Sequence, residues 1–144
     1  MRIDGEWYAC DDDVVRPIVR GEILNASDNW EPTLFLVDTG ADRTVISAAV
    51  LDVLGFDTSG SRERLGGVGG TVDSVEVTTR IRLRRENGGI ATFRGQFAGI
   101  TRFESLDMSI LGRDIMNAFS ILVDRAGNVV TLIRPPHQYV IQKA

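Results

Sequence analysis

Cysteine and histidine are almost missing from this 144-residue chain, which has one of each, Cys10 and His137. A single cysteine excludes an intrachain disulfide and a cysteine-based metal site. A single histidine excludes a His-rich metal centre and any triad with a choice of bases. No apolar stretch approaches the roughly 18 residues that span a bilayer. The opening Met1-Arg2-Ile3-Asp4-Gly5-Glu6 has no apolar run behind its charge, so no signal peptide is expected. Proline numbers only 4, which argues against a low-complexity chain. An excess of one charge is lacking too: the net charge of -4 exerts no overall pull toward nucleic acid or an anionic membrane. What is present is ordinary for a globular domain, with 43% hydrophobic and 25% charged residues. A chain of this length buries about 68% of its unfolded surface and can hold a sizeable core. The default expectation is one soluble, cytoplasmic domain with no cofactor.

Glycine is the abundant punctuation, at 15 residues. It separates short apolar runs, the pattern of an all-β domain. Residues 1–13 carry Asp11-Asp12-Asp13 and read as a solvated arm, residues 14–134 as a single domain, and residues 135–144 as a peripheral tail. Within the domain, Val14 to Leu24 reads as a strand, with Pro17 suggesting an edge or a bulge. Asn25 to Pro32 reads as a turn and Thr33 to Val37 as a short buried strand. Val45-Ile46-Ser47 is extended, and Ser47 is placed to cap a short helix over Ala48 to Leu54 that Gly55 ends. Val75 to Leu83 alternates apolar with polar, Asn87-Gly88-Gly89 signals a hairpin turn, and Ile90 to Ile100 is the return strand. Met108 to Leu111 is another buried strand, Arg113 to Phe119 has helical spacing, and Ile121 to Val123 and Val129 to Ile133 flank a last hairpin. Arg80, Arg82 and Arg84 alternate along their strand with Ile81 and Leu83 and read as its solvent face. With no aromatic residues interleaved to stack bases, they do not make a nucleic-acid site.

Three segments carry chemistry. In Leu34-Phe35-Leu36-Val37-Asp38-Thr39-Gly40-Ala41-Asp42 a carboxylate emerges at the end of a buried strand, and Thr39 and the amides around Gly40 are placed to hold its oxygens. In Leu65-Gly66-Gly67-Val68-Gly69-Gly70-Thr71-Val72 four glycines surround one apolar residue, a segment whose backbone can approach a ligand closely. A phosphate-cradling loop needs a following Lys-Ser or Lys-Thr and a helix start, and neither is present. In Ser109-Ile110-Leu111-Gly112-Arg113-Asp114 a buried strand stops at glycine before a charged pair.

In this order the three segments resemble the retroviral-type aspartic proteases, the retropepsin family, and the resemblance covers most of residues 14–134. It implies a closed acid-protease-like barrel with a Gly-rich flap hairpin and one or two short helices, forming one protomer of a two-fold dimer. It implies Asp38 as the catalytic carboxylate. Thr39 is then a bond across to the other active-site loop, and Gly40 a contact to substrate backbone. Asp42 is implied to hold a substrate main-chain group and to pair with Arg113, which supports the site. Ala41 adjoins the substrate, and Gly66, Gly67 and Val68 form the flap, with the Val68 amide reaching the substrate through a water. Leu36, Val45, Leu65, Met108 and Ile110 are implied to line side-chain pockets, and Arg43 sits where it can influence pocket polarity. The segment Phe119 to Ile133 is more similar to cellular and pepsin-like versions, with a hairpin after the helix.

Aspartic peptide hydrolysis uses two carboxylates sharing one proton, because two such groups about 3 Å apart cannot both ionise. The chain holds one Asp-Thr-Gly. Asp57-Thr58-Ser59-Gly60 has an extra residue and no buried strand before it, so it reads as a surface turn. The second carboxylate is therefore expected from a second copy of the chain. The expected partners are a second copy and a polypeptide substrate, without nucleic acid or membrane. The expected activity is that of an endopeptidase cutting between hydrophobic residues. A catalytically weak or inactive module that binds peptides or dimerises is the alternative.

Overall fold

In the computed structural model, which describes residues 1–60, 62–67, 69–103 and 106–136, the longest ribbon is an antiparallel pair, β7 (Gly70–Arg84) and β8 (Ile90–Ile100). Val75, Val77, Thr79, Ile81 and Leu83 point inward from β7 and alternate with exposed or half-buried residues, the period-two pattern of a strand with one buried face. Asn87-Gly88-Gly89 makes the turn, with Gly88 at φ 82°. At the other end β6 (Glu63–Gly67) pairs with β7 from Glu63↔Ser74 to Gly67↔Gly70.

The remaining long strands are β3 (Val15–Leu24) and β4 (Trp30–Val37). The second begins three residues earlier than the buried run Thr33 to Val37, because Trp30, Glu31 and Pro32 pair with Leu24, Ile23 and Glu22. Pro17 and Pro32 are tolerated because pairing is one-sided at each: Pro17 faces only Trp7, and Pro32 precedes the second partner of β4. That partner is β9 (Ser109–Leu111), which lies parallel to β4 and also meets the short β5 (Val45–Ile46). The eight-stranded sheet runs β2-β3-β4-β9-β5-β8-β7-β6, where β2 is Glu6–Ala9, and β3 also pairs with β7. The pairings thus run in a ring through β3, β4, β9, β5, β8 and β7. Phe35, Ile46, Leu54, Ile81, Leu83 and Leu111 fill the interior, all nearly inaccessible to solvent. Among the described residues the architecture is mostly β with two short helices, as expected.

Residues 1–13 are not a solvated arm. Arg2–Asp4 (β1) pairs with β11 (Val129–Ile133), which in turn pairs with β10 (Ser120–Asp124) in a separate three-stranded sheet. Ile3 is buried in the main core, and β2 joins the large sheet. Gly5 makes the crossing between sheets possible, since a Cβ there would stand 2.2 Å from the Ile18 carbonyl oxygen.

Helix α1 (Ala48–Leu54) buries Ala48, Leu51 and Leu54 on one side and stops at Gly55. Ser47 stands at its N-cap position but makes no side-chain cap bond; it is buried, and its amide donates to Ser109 Oγ at 3.0 Å. Helix α2 is shorter than the spacing suggests, covering Arg113–Met116 only. Ala118 and Phe119 bond back to Ile115 and Met116, a tightened last turn. His137 and most of the tail, Val68 at the expected flap tip, and residues 61, 104 and 105 lie outside the described residues.

Candidate active site

The parallel pairing of β4 with β9 creates the site. Both strands end at the same level, Val37 beside Leu111, so the chain turns outward at Asp38 on one strand and at Gly112 on the other. Asp38 is half-buried, while Thr39 and Gly40 are exposed. The Asp38 amide donates to Leu111 O at 3.4 Å and its carbonyl accepts from the Ala41 amide at 3.2 Å, closing a tight turn. One carboxylate oxygen, Oδ1, accepts from the Gly40 amide at 2.9 Å. This bond fixes the carboxyl orientation at the mouth of the loop.

The rest of the loop is tied to α2. The Arg113 amide donates to Ala41 O at 2.9 Å and the Asp114 amide to Asp42 O at 3.2 Å. The Arg113 guanidinium pairs with the Asp42 carboxylate, as the resemblance implied, and both side chains are at least half exposed.

Two supporting residues escaped the sequence reading. Thr44 is fully buried; its hydroxyl donates to Asp114 Oδ1 at 2.6 Å and accepts from the Gly112 amide at 3.1 Å. The Asp114 carboxylate also accepts from the amides of Thr44 and Ile115, each at 2.9 Å. A polar Thr ahead of the apolar pair Val45-Ile46, and an Asp in the first turn after a glycine, were the available signals. Gly112 is obligatory at the crossing, because a Cβ there would lie 2.2 Å from the Arg43 carbonyl carbon.

The expected pocket residues fall into two groups. Val45 and Ile110 join Ala98 and Ile100 in a small apolar cluster, against which Leu65 and Val72 of the β6–β7 hairpin pack. Leu36 and Met108 instead line a cleft of about 500 Å³ with Tyr8, Leu34 and Leu106, walled by Asp11, Asp12, Arg16 and Asp107. Asp12 takes a two-pronged bond from Arg16, 2.8 and 2.7 Å, and that guanidinium, with the Val14 amide, lowers the carboxyl from its ordinary 3.8 to about 2. Gly66 and Gly67 are exposed on the hairpin that carries Leu65. Arg43 does not stand free: it pairs with Glu63 at 3.4 Å and Glu76 at 3.2 Å, bridging the active-site loop to both strands of the hairpin base. Asp57 accepts from the amide and hydroxyl of Ser59 in an exposed turn away from any strand end. Among the described residues, no group of three His, Cys, Asp or Glu is arranged to hold a metal ion, and no helix is long and apolar enough to cross a membrane.

Comparison with known proteins agrees with this geometry. The family model for aspartyl proteases matches residues 20–115, from β3 to the start of α2. Among solved structures, EIAV protease complexed with the inhibitor HBY-793 is 27% identical, with a TM-score of 0.50 over 71% of this chain and 86% of that one. A retropepsin-like aspartic protease from Rickettsia conorii, 20% identical, shares the fold with a TM-score of 0.60 over 92% of this chain and 89% of that one. No curated protein sequence matches. The family match over two thirds of the chain spans both the carboxylate at the end of β4 and the Gly-Arg-Asp that follows the parallel β9, and the chain belongs to the aspartyl protease family with a retropepsin-like fold.

Proposed function

We propose that the protein is an aspartic endopeptidase, active as a homodimer, that hydrolyses extended polypeptides between hydrophobic residues. One observation carries the reading: of the two carboxylates on the strand-end loop, Asp42 is held by Arg113, which leaves Asp38, half-buried at the mouth of the loop, as one reactive carboxylate where the chemistry needs two. Two copies related by a two-fold axis bring two Asp38 side chains together. One carboxylate takes a proton from water, and the other, protonated, polarises the scissile carbonyl.

Each loop residue then has a role. Thr39 bonds across to the partner loop, and Gly40 and Ala41 border the substrate backbone. Asp42, held by Arg113, receives a substrate main-chain group. The hairpin bearing Leu65, Gly66 and Gly67 covers the substrate as a flap. An extended peptide places alternate side chains to either side. Leu65 and Ile110, packed over the buried Val45, and the cleft residues Leu36 and Met108 are the two sets of contacts available to them. Both are aliphatic, which supports hydrophobic specificity. Ala41 supplies no hydroxyl donor to the two carboxylates, so their support comes from the loop amides.

The test is mass-spectrometric cleavage profiling of a peptide library from pH 4 to 7, with wild type beside Asp38→Asn. Cuts between hydrophobic residues that vanish in the variant are expected. Absence of cuts from protein shown to be dimeric would replace the reading with a peptide-binding module.

A further inference from the structure

The end of the β7–β8 ribbon remote from the flap carries a concentration of arginine that the proposed activity does not use. Arg80, Arg82 and Arg84 project from the outward face of β7, since Thr79, Ile81 and Leu83 between them are buried. Arg80 stands directly opposite the exposed Arg94 of β8 in the strand register. Opposed residues on one face have Cβ atoms about 5 Å apart, and like charges so placed destabilise a sheet. No carboxylate pairs with Arg80, Arg94, Arg84 or Arg85 among the described residues.

Beside this face runs a groove of about 450 Å³ lined by Arg20, Gly21, Glu22, Pro32, Arg82, Arg84, Arg85 and Asp4. Its two acids are already engaged, Glu22 by Arg82 at 2.7 Å and Asp4 by Arg2 at 2.9 Å. Arg20 is likewise taken by Glu6. Arg85 retains a buried Nε without a hydrogen-bond partner. The cations of the face outside any ion pair are therefore Arg80 with Arg94 at one end and Arg84 with Arg85 at the other, the second pair lying within electrostatic reach of Glu22 and Glu86 without a direct bond to either. Arg84 lies four positions along the strand from Arg80, about 13 Å.

We propose that this face is a docking site for an extended, carboxylate-rich stretch of polypeptide, whose acidic side chains meet Arg80 and Arg94 at one end and Arg84 and Arg85 at the other. Charge complementarity carries the choice of occupant, because the chain as a whole is acidic while this face is not. An extended peptide repeats its side-chain positions at the same spacing as β7, so acids four residues apart reach both ends. A nucleic-acid strand fits less well: the Trp30 ring at this face lies under the Arg82 guanidinium at 4.2 Å and is not open to a base.

The experiment is fluorescence anisotropy with a labelled peptide of Asp, Ser and Gly only, which lacks the hydrophobic residues a protease of this kind would cut. Binding should weaken by about tenfold between low and physiological salt. Arg84→Gln, and Arg80→Gln combined with Arg94→Gln, should each weaken it about five- to tenfold at low salt. Replacing both of two directly opposed like charges relieves their repulsion and should leave the thermal midpoint unchanged or higher, so lost binding in the second variant cannot come from unfolding. A neutral Ser-Gly peptide should not bind. No binding at low salt, or equal binding by the variants, would overturn the proposal. So would tighter binding of an oligonucleotide of equal charge, or salt-sensitive self-association through the same arginines.

Discussion

At the scale of single residues, the account separates groups that act from groups that hold them. Asp38→Asn should abolish peptide cleavage while leaving the circular dichroism spectrum and thermal midpoint near those of wild type, because the half-buried side chain serves no packing role and the Gly40 amide still finds an acceptor. Thr44 and Gly112 are of the second kind. Thr44→Val strands the Gly112 amide and removes a donor to Asp114, which should cost about 1–3 kcal/mol, measured by urea unfolding. Gly112→Ala forces a methyl group into the backbone of Arg43 and should cost at least about 1–3 kcal/mol; a stable, active Gly112→Ala chain would contradict the loop crossing. Arg113 is different, since its pair with Asp42 is solvent-exposed and contributes little to stability by itself. Asp42→Ala should therefore raise KM far more than it lowers the unfolding midpoint.

At the scale of elements, ion pairs clasp the sheet edge. Glu6 of β2 is held by Arg20 of β3, and Glu22 of β3 by Arg82 of β7; the hydrogen-bonded guanidinium lowers each carboxyl below its ordinary 4.5. A carboxyl depressed in the folded state contributes stability above its unfolded pKa and loses it as pH falls through the folded value. Both clasps should thus remain intact in mild acid and fail only below the ordinary carboxyl range. Urea midpoints should be flat from pH 7 to 5 and fall below pH 4, and Glu22→Gln should make the acid limb shallower. The N-terminal segment belongs to this scale too: Ile3→Ala should cost about 2–5 kcal/mol, which a truly solvated arm would not. That segment was illegible in the sequence because three residues, Arg2-Ile3-Asp4, are too few to show a period, and their partners in β11 lie far along the chain. By contrast β8 and α1 match their expected bounds, since an Asn-Gly-Gly turn and a Ser-to-Gly span are local signals. The same reasoning divides the site. Asp38 to Ala41 was legible as one contiguous motif, whereas the Thr44–Asp114 bond joins positions 70 residues apart, and its two local traces, a Thr before an apolar pair and an Asp after a glycine, do not point to each other.

At the scale of the whole molecule, the ring of strands delivers one strand-end loop with one Asp-Thr-Gly carboxylate, Asp38, and the proposed chemistry takes its second carboxylate from another copy. Activity should then rise faster than linearly with protein concentration when dilute, approaching the square. The most direct measurement adds Asp38→Asn protein to a fixed amount of wild type under dimerising conditions and follows cleavage. If each active site takes one Asp38 from each of two chains, an equal amount of variant should leave about half the activity and a tenfold excess about a tenth, because mixed dimers are dead. Cleavage that stays constant as the variant is added would show that a single chain carries the whole reaction and would contradict the shared site.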